Sequence, residues 1–180
     1  MKHFISLFAI CMLFAGFAVA QDTDATDDGT PSSSALPAVV LKDLQGENVD
    51  MSELSNDGNP IVISFWATWC HPCVNELTAI NDLLPDWEDE TNVKIYAVSI
   101  DDARNTSRVA PFANGRNWDF DVLLDTNKDF YRAMNVVNVP HTFLLDGDLN
   151  VVYQHTSYTP GDEDELYEHI IELVEGSDDE

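Results

Sequence analysis

Basic residues are scarce in this chain: 8 Lys and Arg stand against 33 Asp and Glu in 180 residues, for a formal net charge of −25. Such a surface repels phosphate backbones, which excludes nucleic acid as a partner. It suits a saline exterior, where a Debye length of about 3 Å at molar salt screens self-repulsion. Cysteine is scarce as well. Of the three present, Cys11 lies in an apolar N-terminal run, so only Cys70 and Cys73 remain beyond it. A structural zinc site normally draws on a second closely spaced ligand pair. None occurs here, because His141, His155 and His169 are scattered along the chain. There is no internal repeat.

The first twenty residues have the three-part layout of an export signal. Lys2 supplies the positive start, the chain from Phe4 to Phe17 is almost wholly apolar, and Ala18-Val19-Ala20 places small residues where a signal peptidase cuts. Cleavage after Ala20 is expected. The apolar stretch is short for a membrane span and no stop-transfer charges follow it, so a retained anchor is the weaker alternative. Cys11 follows the bulky Ile10 and is a passenger in the leader. Residues 21–35, rich in Asp, Thr, Ser and Gly, read as a solvated tether. Residues 36–175 suit one domain with a sizeable core, and residues 176–180 read as an acidic tail.

Within the domain, apolar runs alternate with amphipathic stretches. "AVVLKDL" and "ENVDM" flank Gln45-Gly46 as a hairpin, and "PIVISFWA" reads as a buried strand. A helix follows from Pro72, with Val74, Leu77, Ile80, Leu83 and Leu84 at helical spacing and Pro85 expected to kink or break it. "VKIYAVSI" and "FDVLLD" read as strands, with helices within residues 107–114 and 130–134. "HTFLLD" and "NVVYQH", joined through Gly147-Asp148, stand too close for a helical crossover and must pair antiparallel. "DEDELYEHIIELVE" closes the domain as a helix with acids at its positive end. The pattern is α/β with a mixed sheet.

"SFWATWCHPCVNEL" carries the chemistry. A buried strand runs into Trp69 and a helix begins at once, so Cys70 falls where unpaired N–H groups and the helix dipole favour a thiolate. Pro72 stands in the first turn, where a proline costs no helical hydrogen bond. Cys73 is one turn away, close enough to close a disulfide with Cys70 and shielded by the helix. Disulfide exchange uses this asymmetry of an exposed attacker and a protected resolver. A structural disulfide over so short a loop contributes little entropy, and zinc would need further ligands, with His71 and His141 the candidates.

"FWATWCHPC" followed by "VNVPHTFLLD" resembles the thioredoxin superfamily, most closely its exported TlpA- and ResA-type thiol:disulfide oxidoreductases, over residues 36–175. The resemblance implies a thioredoxin-like fold, with an extra N-terminal hairpin and a central insertion after "VKIYAVSI". It implies a cis-proline at Pro140, beside the disulfide, that leaves the Val139 backbone open to an extended substrate. Cys70 would attack, Cys73 would resolve, and Trp69, His71, Pro72, Val139 and Pro140 would shape the docking surface.

Two departures bear on proton handling and potential. Cytosolic thioredoxins have a buried aspartate where this chain has Ser64, whereas ResA-type relatives have a glutamate that Glu76 matches. Strong oxidants place a histidine immediately before the second cysteine; here Pro72 stands there and His71 one place earlier. The TlpA branch favours reduction, of apocytochrome c cysteines or other periplasmic thiols, by a monomer with a membrane electron donor. No cofactor beyond the disulfide is expected. The alternative is a copper or zinc delivery module built on the cysteine pair and a histidine. A peroxidase of the peroxiredoxin type would want a threonine where Ala67 stands.

Overall fold

The computed structural model describes residues 36–177; the leader, the tether and the last three residues lie outside them. Strands β1 (Val40–Asp43) and β2 (Asn48–Asp50) form the expected hairpin. The Asp43 carboxylate accepts the N–H groups of Gln45 and Glu47, and Gly46 takes the left-handed φ of 87° that the turn needs.

Strand β3 (Ile61–Trp66) is buried at every position, as a continuous apolar run in a central strand should be. It pairs parallel with β4 (Lys94–Ser99), which pairs parallel with β5 (Asp121–Leu124). On its other side β3 pairs antiparallel with β6 (His141–Leu145), and β6 with β7 (Val151–Thr156). The seven strands lie in the order β2-β1-β5-β4-β3-β6-β7. At the β6–β7 turn, a side chain on Gly147 would come within 2.3 Å of the Gly58 carbonyl oxygen, so only glycine fits.

Successive β3 side chains point to opposite faces. Phe65 packs on Phe130 of α3 (Asp129–Ala133), at 5.4 Å between ring centroids. Trp66 points the other way, onto Phe112 of α2 (Val109–Asn114) and onto Trp118, at 5.6 and 4.9 Å. A 3-10 turn at Thr106–Arg108 precedes α2, and the two make up the connection between β4 and β5.

Helix α1 (His71–Thr91) buries Cys73, Glu76, Leu77, Ile80, Leu84, Trp87 and Thr91, one stripe at helical spacing. It continues through Pro85 without the break that was one of the two expectations there. Its last turns are anchored by tertiary contacts that outweigh one lost backbone hydrogen bond. Trp87 stacks at 5.1 Å on Tyr167 of α4 (Asp162–Ser177), whose hydroxyl donates to Glu90 at 2.5 Å. Asn92 then caps α1 in the left-handed region. Four acids occupy the first turn of α4, suited to its dipole. Helix α4 extends to Ser177, two residues past the expected end of the domain at Glu175.

Candidate active site

The two cysteines stand where β3 hands over to α1. Residues 67–70 form a tight turn in which the Cys70 N–H donates to the Ala67 carbonyl at 3.0 Å. Its middle is held from the side. Asp101, in the segment after β4, accepts the Thr68 N–H at 2.8 Å and the Thr68 hydroxyl at 2.6 Å, while the Ser99 hydroxyl donates to it at 2.9 Å. Asp101 is buried, so removing it would strand three donors, at roughly 1–3 kcal/mol for each one left unpaired. Asp101 thus positions the turn that carries Cys70. Nothing in the sequence singled it out, because its partner Thr68 stands 33 residues away.

Cys70 is the N-cap of α1, and its sulfur accepts the Cys73 N–H at 3.3 Å. Pro72 sits in the first turn, as its missing N–H allows. The cysteines are joined in a disulfide with an S–S distance of 2.02 Å and Cα atoms 5.3 Å apart. Cys73 is fully enclosed; Cys70 is 5% exposed. The attacker expected to be exposed is therefore buried and only the more accessible of the two, because in the oxidised pair its sulfur is folded against the helix start. Around it Trp69 is 60% exposed, and His71 and Pro72 are exposed.

The second loop of the site comes from β6. Phe65 pairs with His141, which brings the residues just before β6 to the same end of the sheet as the cysteine turn. The Val139–Pro140 peptide bond is cis. Pro140 is buried and Val139 half-buried, and among the described residues nothing hydrogen-bonds the Val139 backbone. The Tyr131 hydroxyl steadies this loop by donating to the Val137 carbonyl at 2.6 Å.

A polar row crosses three strands of the sheet. Ser64 of β3 stands opposite Thr142 of β6, and Thr142 stands opposite His155 of β7. Glu76 of α1 lies over this row. It is 1% exposed, so it is not one more solvated acid on an acidic helix. Its Oε1 accepts from the Thr142 hydroxyl at 2.7 Å and lies 2.8 Å from His155 Nε2; the Thr142 hydroxyl also lies 3.0 Å from that of Ser64. Glu76 Oε2 is buried without a hydrogen-bond partner among the described residues. Cys73 and Glu76 are one turn apart on the same buried stripe, so acid and thiol share one environment.

His141 takes no part in this row. Its ring stacks on Phe143 at 4.2 Å and its Nε2 meets Gln154 at 3.0 Å. Burial pushes its imidazole below the ordinary range, against the opposing pull of the Gln154 hydrogen bond. Among the described residues, no three metal-ligating side chains converge. His71 and His141, the candidates for completing a metal site, do not meet at the cysteines: His71 faces solvent and His141 is engaged with Gln154. His155, read in sequence as one scattered histidine, is instead the partner of Glu76.

The profile of the AhpC/TSA family matches residues 33–154. The chain belongs to this family. Among curated relatives, the thiol-disulfide oxidoreductase ResA of Bacillus thuringiensis (strain Al Hakam) is 30% identical over 139 residues, which are 77% of this chain and 78% of that protein. ResA of Bacillus subtilis (strain 168) is 29% identical over 148 residues, 82% of this chain and 79% of the relative. Among solved structures, a thioredoxin-like protein from Porphyromonas gingivalis is 50% identical, with a TM-score of 0.71 over 78% of this chain and 92% of that one. A Chlorobium tepidum protein described as a candidate thiol:disulfide interchange protein DsbE is 25% identical, with a TM-score of 0.69 over 79% of this chain and 96% of that one. The family's fold is thioredoxin-like, so the mixed sheet, the cysteine pair at the head of α1 and the cis-proline before β6 are as the resemblance implied.

Proposed function

We propose that this chain is an exported thiol:disulfide oxidoreductase that works as a reductant. The enzyme class accords with the ResA relatives, which bear that activity in their names. One observation carries the reading for this chain: a Cys-x-x-Cys disulfide at a helix N-cap, with Cys70 the more accessible sulfur and Cys73 enclosed one turn from a buried carboxylate.

In the reduced form, the helix start stabilises the Cys70 thiolate, which attacks one sulfur of a substrate disulfide. That bond breaks, a Cys70–substrate mixed disulfide forms, and the first substrate thiolate leaves and takes up a proton. Cys73 then gives its proton to Glu76 and attacks Cys70 Sγ. The Cys70–Cys73 bond closes, and the second substrate sulfur leaves with the electron pair. Two electrons and two protons from a membrane donor restore the dithiol. The two sulfurs suffice for this exchange without a further cofactor.

Trp69, His71, Pro72, Val139 and Pro140 form the docking surface. The free Val139 backbone, in the cis-proline loop before β6, suits pairing with an extended segment, which points to protein substrates such as apocytochrome c cysteines. The export-signal layout of residues 1–20 supports a reaction outside the cytoplasm, carried out by a monomer released from its leader.

Turnover of insulin disulfides, measured beside metal analysis of the freshly purified protein, tests the reading. Catalysed insulin reduction without stoichiometric metal is expected. Stoichiometric copper or zinc without turnover would favour a metal-delivery module instead.

A further inference from the structure

A buried carboxylate that accepts a thiol proton must present a free oxygen and must not swing away from the thiol. Glu76 meets both conditions through its neighbours. Two groups converge on Oε1, the Thr142 hydroxyl at 2.7 Å and His155 Nε2 at 2.8 Å, while Oε2 is enclosed with no partner among the described residues. The sheet sets this arrangement, since Thr142 and His155 face each other across β6 and β7 and cannot move independently. His155 Nδ1 is also buried and unpartnered among the described residues. A carboxylate oxygen can only accept, so the ring donates to Oε1 from Nε2.

We propose that His155 is a positioning residue for disulfide exchange: with Thr142 it pins Glu76 Oε1 and leaves Oε2 as the atom that receives the Cys73 proton. The assignment rests on the oxidoreductase reading above. When Cys73 resolves the mixed disulfide, its S–H bond breaks and the proton passes to Oε2. The Cys73–Cys70 bond forms as the Cys70–substrate bond breaks, and the electron pair leaves on the substrate sulfur. His155 gives up no atom in this step. Its N–H donates to Oε1, a bond that is stronger to the carboxylate than to the acid.

Other groups in the neighbourhood act on the same charge. His141 approaches from β6, the Tyr153 ring lies 5.9 Å from the His155 ring on β7, and Tyr158 feels Glu76 from the loop before α4. Asp162, Glu163 and Glu165 of α4 bear on those tyrosines. None of them contacts Oε1, so loss of the His155 donor is not made good by a neighbour.

His155→Leu removes the donor, whereas His155→Gln keeps an N–H of similar reach with no ionisation of its own. In the full mature protein, the rate at which a preformed Cys70 mixed disulfide resolves would be followed from pH 5 to 9. Without the donor the acid limb of the profile should move up by about one pH unit, so the loss should be small above the limb and approach about tenfold at pH values below it. His155→Gln should recover most of that loss. Thr142→Val removes the other donor and should shift the limb the same way; it carries the test if His155→Leu does not fold. An unshifted limb in the folded donor-free variants would overturn the assignment, as would a His155→Gln variant as impaired as His155→Leu. Should the unmodified protein exchange no disulfides at all, the oxidoreductase reading falls and the assignment falls with it; exchange in the unmodified protein with no shift in the variants removes the His155 role alone.

Discussion

Cys70→Ser abolishes disulfide exchange, and Cys73→Ser arrests it halfway as a covalent adduct; this is the largest effect expected of any substitution. The polarity follows from access and from the helix start. Cys70 is the more accessible sulfur, caps α1 and stands beside the exposed Trp69, whereas Cys73 is sealed beneath the helix. A thiolate at Cys70 reaches a substrate disulfide, and without Cys73 nothing displaces the substrate from the mixed disulfide. Adducts would be counted by non-reducing electrophoresis and intact mass after acid quenching. The Cys73→Ser protein should accumulate one substrate per chain, and the Cys70→Ser protein close to none. Equal trapping by the two variants would reverse or remove the assigned roles.

Glu76→Gln is expected to slow exchange near neutral pH by about 100-fold, the lower end of what a positioned general base contributes. The substitution keeps the shape of the side chain and its place on the buried stripe of α1 while removing the proton acceptor. The loss should shrink as pH rises and hydroxide deprotonates Cys73 directly. Far-UV circular dichroism should remain unchanged, because the amide still accepts from Thr142 and His155. Glu88→Gln, on the exposed side of the same helix, serves as the control and should match the unmodified protein. If Glu76→Gln matched it as well at every pH, the buried acid would have no part in proton transfer.

Much of this site was legible in the sequence because the relevant physics is local. An apolar run ending in Trp-Cys, a proline two residues on and helical spacing after it place a cysteine at a helix N-cap without reference to the rest of the chain. The hairpin and the antiparallel last strands were legible for the same reason, since short connections leave no other pairing. Glu76 needed more than spacing; the family resemblance supplied its importance.

What was missed depends on register and on distance along the chain. His155 reaches Glu76 because β7 pairs with β6 so as to set it against Thr142, and a bulge between Leu144 and Leu145 adjusts that pairing. A shift of one residue would turn His155 to the opposite face, and no local pattern reports the difference. Asp101 holds Thr68 across the gap between two parallel strands. Pro85 does not end α1, because its helical context is enforced by Trp87 packing against a helix that lies far off in sequence.

The reduction potential of the Cys70–Cys73 pair tests the central claim most directly. The protein would be equilibrated with glutathione and dithiothreitol couples, quenched in acid, alkylated, and its free thiols counted by mass. A reductant should titrate as a two-electron pair near the thioredoxin value of about −270 mV. A potential near about −120 mV, where strong oxidants lie, would contradict the reductant reading, and a pair that stayed closed across the whole range would contradict the exchange chemistry itself.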